Sequence, residues 1–198
     1  MCSKRAQVTE ISPIYIPLRN HSAYSLLEGA ISVERLVQLA VEDGLPALGL
    51  TDTSNLFGAM EFSLTAQRAR IQPILGCQLR LAHPSCSFGH SLSSLPLTIL
   101  LFVQNARGNS NLVKLVSRTT VGQDSALHGQ LTLDQLEGLT DGLIALSGGR
   151  MGPLNQFLAP GTQRQNQAID LAKTLRHSCL KDVFILSSAG MAMGMRRL

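Results

Sequence analysis

Short β-rich runs alternate with segments of helical period along this chain, and that alternation limits the fold more than any other feature. Residues 14–18, 47–51, 74–81, 97–103, 143–146 and 183–186 are the strand candidates. Ser32 caps a helix whose apolar residues Val33, Leu36, Val37, Ala40 and Val41 fall at i, i+3, i+4, i+7 and i+8, and Gly44 stops it. Residues 55–69 read as a second helix with Phe57, Met60 and Leu64 on one face. Pro73 opens the next strand, and Pro84, Gly89 and the serines between 85 and 94 mark a loop. A helix over about 110–119 follows the strongest strand, and the capping boxes Thr132-Leu-Asp-Gln135 and Thr162-Gln-Arg-Gln165 open later ones. About six strands separated mostly by helices predict an α/β fold with a mainly parallel sheet and crossover helices. Periodicity does not choose between an open sheet and a closed barrel.

Composition narrows the class. At 198 residues with 44% hydrophobic and 15% charged side chains, the chain can bury the core of one domain, which excludes a disordered tail. The longest dense apolar run, 95–103, contains Pro96 and is far too short to span a bilayer. Pro13 and Pro17 interrupt what would have to be a signal peptide's apolar stretch, so the expectation is a cytoplasmic protein with no membrane partner. Its charge of +4 is spread along the chain without a basic block and reads as ordinary solvated surface. Cys2, Cys77, Cys86 and Cys179 are too scattered for a disulfide framework and are expected as reduced thiols.

Two constellations are weak. Ser147 follows a strand in Ala145-Leu-Ser-Gly-Gly149, similar to a nucleophile turn, but Asp170 and His177 would have to serve it from a single helix, a poor relay geometry. Cys77, His83, Cys86 and His90 are all zinc-ligand types, yet their spacing matches no standard finger.

A third set of blocks is specific. His21-Ser-Ala-Tyr24-Ser-Leu-Leu-Glu28-Gly29 is followed by Leu45-Pro-Ala-Leu-Gly-Leu-Thr-Asp52, by Asn55-Leu-Phe-Gly58 and by Ile74-Leu-Gly-Cys77. Residues 97–103, 108–112 and 142–148 carry later blocks in the same order. Together they resemble the polymerase-and-histidinol-phosphatase (PHP) domain at the start of bacterial DNA polymerase III alpha subunits. The resemblance implies an incomplete, distorted β/α barrel over residues 14–186, with 1–13 as a lead-in and 187–198 as a tail. No helix can form between the last strand and Leu198, so the tail reads as a truncated or altered end. A fragment lacking that cover is expected to fold poorly alone.

Metal-competent members of the family hold two or three ions on clustered His and carboxylate side chains, which make a hydroxide and stabilise a phosphoryl transition state. Carried over by position, the opening His-x-His stands here as Arg19-Asn20-His21, and the following carboxylate as Glu28. The Thr-Asp-His block reads Thr51-Asp52-Thr53, and Gly-x-Glu reads Gly76-Cys77-Gln78. A later His is Pro96, Ser-Gly-Cys is Ser147-Gly148-Gly149, and the late Asp-x-His block is missing. Only His21 and Glu28 remain as ligand types, with Asp52 beside them, so no metal and no catalytic residue is expected in this chain. Arg19, His21, Glu28 and Asp52 are expected instead as a structural polar cluster with Arg19–Glu28 as its charged pair. The resemblance further implies that nucleotidyl transfer and its Mg belong to another domain of the parent polymerase. The expected partners are the rest of the alpha subunit and the replisome subunits, with DNA and deoxynucleotides reached through the parent. The rival implication is a free-standing metal-dependent phosphoesterase.

Overall fold

The computed structural model describes residues 15–82, 97–121, 129–147, 149, 152, 154, 169, 170, 173, 183 and 184. The lead-in, the tail and the second capping box at 162–165 lie outside them.

Helix α1, Val33–Glu42, begins where Ser32 Oγ accepts from the Arg35 N–H at 3.3 Å. It ends in a Schellman motif: Gly44 sits at φ +66°, its N–H reaches Val41 O, and the Leu45 N–H reaches Ala40 O. Val33, Leu36, Val37 and Ala40 are buried, whereas Val41 falls at the edge of that face and is half exposed. Strand β1, Ala47–Leu50, is buried throughout. Helix α2, Ala59–Arg68, starts four residues later than the pattern predicts, because Asn55 Oδ1 accepts from the Phe57 N–H and folds 55–57 into a turn. Its core face is Phe62 and Ala66, packed with α1, rather than Phe57, Met60 and Leu64, which are exposed. Both sets have helical spacing, and tertiary packing against α1 decides between them.

The sheet continues with β2 (Gln72–Leu81), β3 (Leu97–Val103), β4 (Leu143–Leu146) and β5 (Val183–Phe184), in the order β1-β2-β3-β4-β5. It is mixed, not mainly parallel: β1/β2 and β4/β5 pair parallel, while β2/β3 and β3/β4 pair antiparallel. The sequence of 82–96 carries no helical period, and an antiparallel pair of consecutive strands needs no crossover helix. Helices between β3 and β4 do not enforce a parallel return either. Five strands, not six, form the sheet among the described residues, and β5 does not close onto β1 among them.

Residues 15–18, expected within a strand, carry no ladder of their own, since Pro17 has no N–H to offer. They nonetheless follow β1. Pro17 O accepts from the Gly49 N–H and Asn20 O from the Thr51 N–H, each at 2.9 Å, and the Asn20 side-chain amide donates to Gly49 O. Gly49 permits this approach, because a Cβ there would stand 2.3 Å from Leu18 O.

Helices α3 (Ala106–Thr120) and α4 (Leu133–Leu136) complete the main core with Leu112, Leu115 and Leu136. Asn105, unnoticed in the sequence pattern, caps α3 by accepting from the Gly108 N–H at 3.0 Å. Alternation along β2 then places the site. Cys77, Leu79 and Leu81 enter the core, so Gln78 and Arg80 emerge together on the opposite face.

Candidate functional site

The site lies where the 21–29 loop meets the end of β1 and the middle of β2. The loop is a tight turn, with the Ser25 N–H donating to Ser22 O and the Glu28 and Gly29 N–H groups donating to Ser25 O. Gly29 is required, since a Cβ there would lie 2.1 Å from Ser22 O. Asp52, 2% exposed, anchors the turn from β1. Its Oδ1 accepts from the Ser22 N–H at 2.7 Å and from Ser25 Oγ at 2.6 Å, and its Oδ2 accepts from Ser22 Oγ at 2.7 Å. Asp52 does not cap α2, whose N-cap is Gly58, further along the chain.

A second network crosses to β2. Thr53 Oγ1 donates to Glu28 Oε2 while accepting from Gln78 Nε2 at 3.1 Å, and Arg80 Nη2 approaches Glu28 Oε1 at 3.3 Å. Main-chain bonds brace it: the Gln78 N–H donates to Asp52 O and the Ser54 N–H to Gln78 O. Glu28 is therefore paired with Arg80, whereas Arg19, the expected partner, is exposed at the margin. Gln78 Oε1 is buried without a partner among the described residues, a neutral amide oxygen where the family resemblance places a carboxylate.

His21 links the two networks, its Nδ1 lying 3.3 Å from Ser25 Oγ and 3.7 Å from Glu28 Oε2. Ser25 spends its hydroxyl proton on Asp52, so towards His21 it can only accept, and Nδ1 must carry the hydrogen. Burial holds the imidazole below its ordinary range; Glu28 opposes this, Arg19 adds to it and Asp52 opposes it. A base that takes up its proton less readily when folded contributes stability at neutral pH. That contribution falls as pH drops from about 6.5 through the lowered value, because the unfolded chain then binds more protons. His21→Asn keeps a donor for Ser25 without titrating. It is expected to flatten the decline of melting temperature between about pH 7 and 5; slopes equal to the parent's would show that His21 does not contribute to it.

This donor set does not fit a metal centre. Both Asp52 oxygens are taken by Ser22 and Ser25, a guanidinium faces Glu28, and Thr53 and Gln78 bring no charge. No group of three or more His, Cys, Asp or Glu side chains converges among the described residues.

The two other constellations extend beyond the described residues. Burial pushes the Cys77 thiol up to about 12, and its Sγ lies 3.2 Å from Asp52 O within the core. His83, Cys86 and His90 lie outside the described residues. Ser147 is buried, Asp170 is exposed with Lys173 Nζ at 3.9 Å, and His177 lies outside the described residues.

Sequence reasoning missed Ser22, Ser25 and Arg80. The two serines stood inside the quoted motif as hydroxyls three apart, and Arg80 was two positions from Gln78 on a strand, hence on the same face.

The PHP-domain family model matches residues 17–187. The chain belongs to the PHP family. This PHP chain is 37% identical over 154 residues to the DNA polymerase III subunit alpha of Caulobacter vibrioides, covering 78% of this chain and 13% of that protein. It is 35% identical over 166 residues to the corresponding subunit of Rickettsia prowazekii, covering 84% of this chain and again 13% of the relative. The PHP chain thus matches only a small part of these relatives. A crystal structure from Bifidobacterium adolescentis, named as a metal-dependent phosphoesterase, aligns with TM-score 0.50 at 12% identity, over 92% of this chain and 91% of that one. That likeness is one of fold. No helix among the described residues of the PHP chain is long and apolar enough to cross a membrane.

Proposed function

We propose that this chain is a non-catalytic PHP module of the DNA polymerase III alpha type, serving DNA replication as a structural and docking unit of that polymerase. The observation that carries the reading is the fate of the two surviving ligand-type residues. Glu28 is engaged by Arg80 and Thr53 and both Asp52 oxygens by Ser22 and Ser25, so His21, whose Nε2 keeps its lone pair, has no uncommitted carboxylate beside it to share a metal. Arg19, Thr53 and Gln78 occupy positions that the family's metal chemistry gives to donors. In this reading Ser22, Ser25, His21, Glu28, Asp52, Thr53, Gln78 and Arg80 hold the turn, β1 and β2 in one shape, a task a metal would otherwise perform. Polymerisation and its Mg belong to other parts of the parent polypeptide, as do DNA, deoxynucleotides and the remaining replisome subunits as partners. The parent works in the cytoplasm.

The test is metal content and hydrolysis together. The purified chain, dialysed against Mn²⁺ and desalted, is expected to hold no stoichiometric metal and to leave p-nitrophenyl phosphate intact. Saturable hydrolysis abolished by His21→Ala or Glu28→Gln would establish the phosphoesterase reading instead.

A further inference from the structure

Among the described residues three other than glycine stand at positive φ: Leu27 at +64°, Ser54 at +55° and Arg70 at +60°. Arg70 has an ordinary reason. It follows the C-cap of α2, where a left-handed residue closes the helix end and Ile71 donates to Ala66 O. The other two flank a single contact. Leu27 precedes Glu28, Ser54 follows Thr53, and Thr53 Oγ1 donates to Glu28 Oε2. Ser54 also keeps a buried hydroxyl without a partner among the described residues. Backbone strain of this kind gathers at segments that change conformation.

The 21–29 loop is held unequally along its length. Ser22 and Ser25 are buried and bonded to Asp52, and just past the loop Ile31 O accepts from the Ala23 N–H. Between these anchors Leu26 and Leu27 are 85% and 107% exposed, so neither buries anything that would hold the chain down. What remains is Glu28 with Thr53 and Arg80, and the Glu28 and Gly29 N–H groups on Ser25 O. The Glu28 and Arg80 side chains are 33% and 42% exposed, and an exposed ion pair contributes no more than a left-handed leucine costs. Attachment and strain nearly cancel. We propose that residues 26–29 are a strap with two states, closed on the end of β1 and on β2 through Glu28, and open between the anchors Ser25 and Ile31. In the open state Leu27 returns to an ordinary backbone conformation, and Thr53 and Arg80 lose the carboxylate they hold. The closed state predominates. The strap operates whether or not the chain serves a polymerase.

Amide hydrogen exchange resolved by residue on the full chain tests this, each rate being expressed against that residue's unprotected rate. The Glu28 and Gly29 amides report the strap, and the Ser22 and Ser25 amides report the anchored half. An open state populated at about 0.1–10% gives Glu28 and Gly29 a protection of about 10–1,000-fold. Ser22 and Ser25, which open only with the surrounding structure, are expected to be at least ~10-fold better protected. Leu27→Gly removes the left-handed penalty from the closed state and should raise Gly29 protection several-fold. Glu28→Gln removes the charge that Arg80 holds and should lower it several-fold, as should added salt, which screens an exposed pair. One common protection for all four amides, in the parent and in both variants, would show that the turn opens as one body and overturn the strap. So would a Leu27→Gly chain whose Gly29 protection is unchanged or lower, since opening would then relieve no strain. Should Glu28→Gln destabilise the whole chain, all four amides lose protection alike, and an unchanged ratio between the two pairs then overturns the proposal.

Discussion

Asp52→Ala is expected to lower stability by about 3–5 kcal/mol, because it strands buried donors rather than deleting one contact. The Ser22 N–H, Ser22 Oγ and Ser25 Oγ all point at that carboxylate, and both serines are almost wholly buried. A hydrogen bond to a charged group contributes about 1.5–3 kcal/mol, and an unsatisfied buried donor costs about 1–3. Because the three share one acceptor, their contributions do not add fully. In a chain of this length each kcal/mol moves the melting temperature by roughly 2–4 °C, so a fall of about 10 °C or more is expected. Asp52→Asn separates charge from shape. Its amide oxygen still serves Ser22 N–H and Ser25, and Ser22 Oγ can turn to accept, so the loss should be about half as large. Equal melting of the alanine variant and the parent would show that the turn is held by its backbone alone.

Gly108→Ala should cost about 3 kcal/mol, the upper end of what overpacking does, because the obstruction is main chain. A Cβ at Gly108 would stand 1.9 Å from Gly142 O. That carbonyl already accepts from the Gln104 N–H, and the turn carrying it is tied to α3 by Asn111 Nδ2 donating to Asp141 O at 2.9 Å. Neither partner can yield without releasing the start of β4. Asn109→Ala, one residue along on the solvent side of the helix, is the control and should change the melt little. Similar melts for the two variants would mean that the α3 terminus can shift freely.

The strands and first helix were legible because burial imposes its period directly: Val33, Leu36, Val37 and Ala40 mark the core face of α1, and β1 and β3 are continuous apolar runs. The face of α2 was not, since Phe57-Met60-Leu64 and Phe62-Ala66 satisfy the same spacing, and the choice depends on a neighbour that local sequence does not contain. Strand direction failed for a related reason. Direction belongs to the connection, and between β2 and β3 the sequence offers only serines and prolines as a sign against a crossover helix. At the site, the residue types at 21, 28 and 52 were readable, but the identity of the Glu28 partner was not. Arg19 is nearer in sequence, whereas Arg80 is brought in by the parallel pairing of β1 with β2 and the two-residue period that aligns it with Gln78.

The segment along β1 also bears on how open that margin of the sheet is to a strand from another molecule. An outer strand with free N–H groups can accept a strand from another molecule and seed cross-chain growth. Here the Gly49 and Thr51 donors are consumed by Pro17 and Asn20, and a proline stands where an incoming strand would seek its next N–H. A foreign strand must therefore peel residues 17–20 away before it can register, and it must displace the Asn20 amide from Gly49 as well. That irregular stretch makes the β1 margin of the sheet a poor template for aggregation.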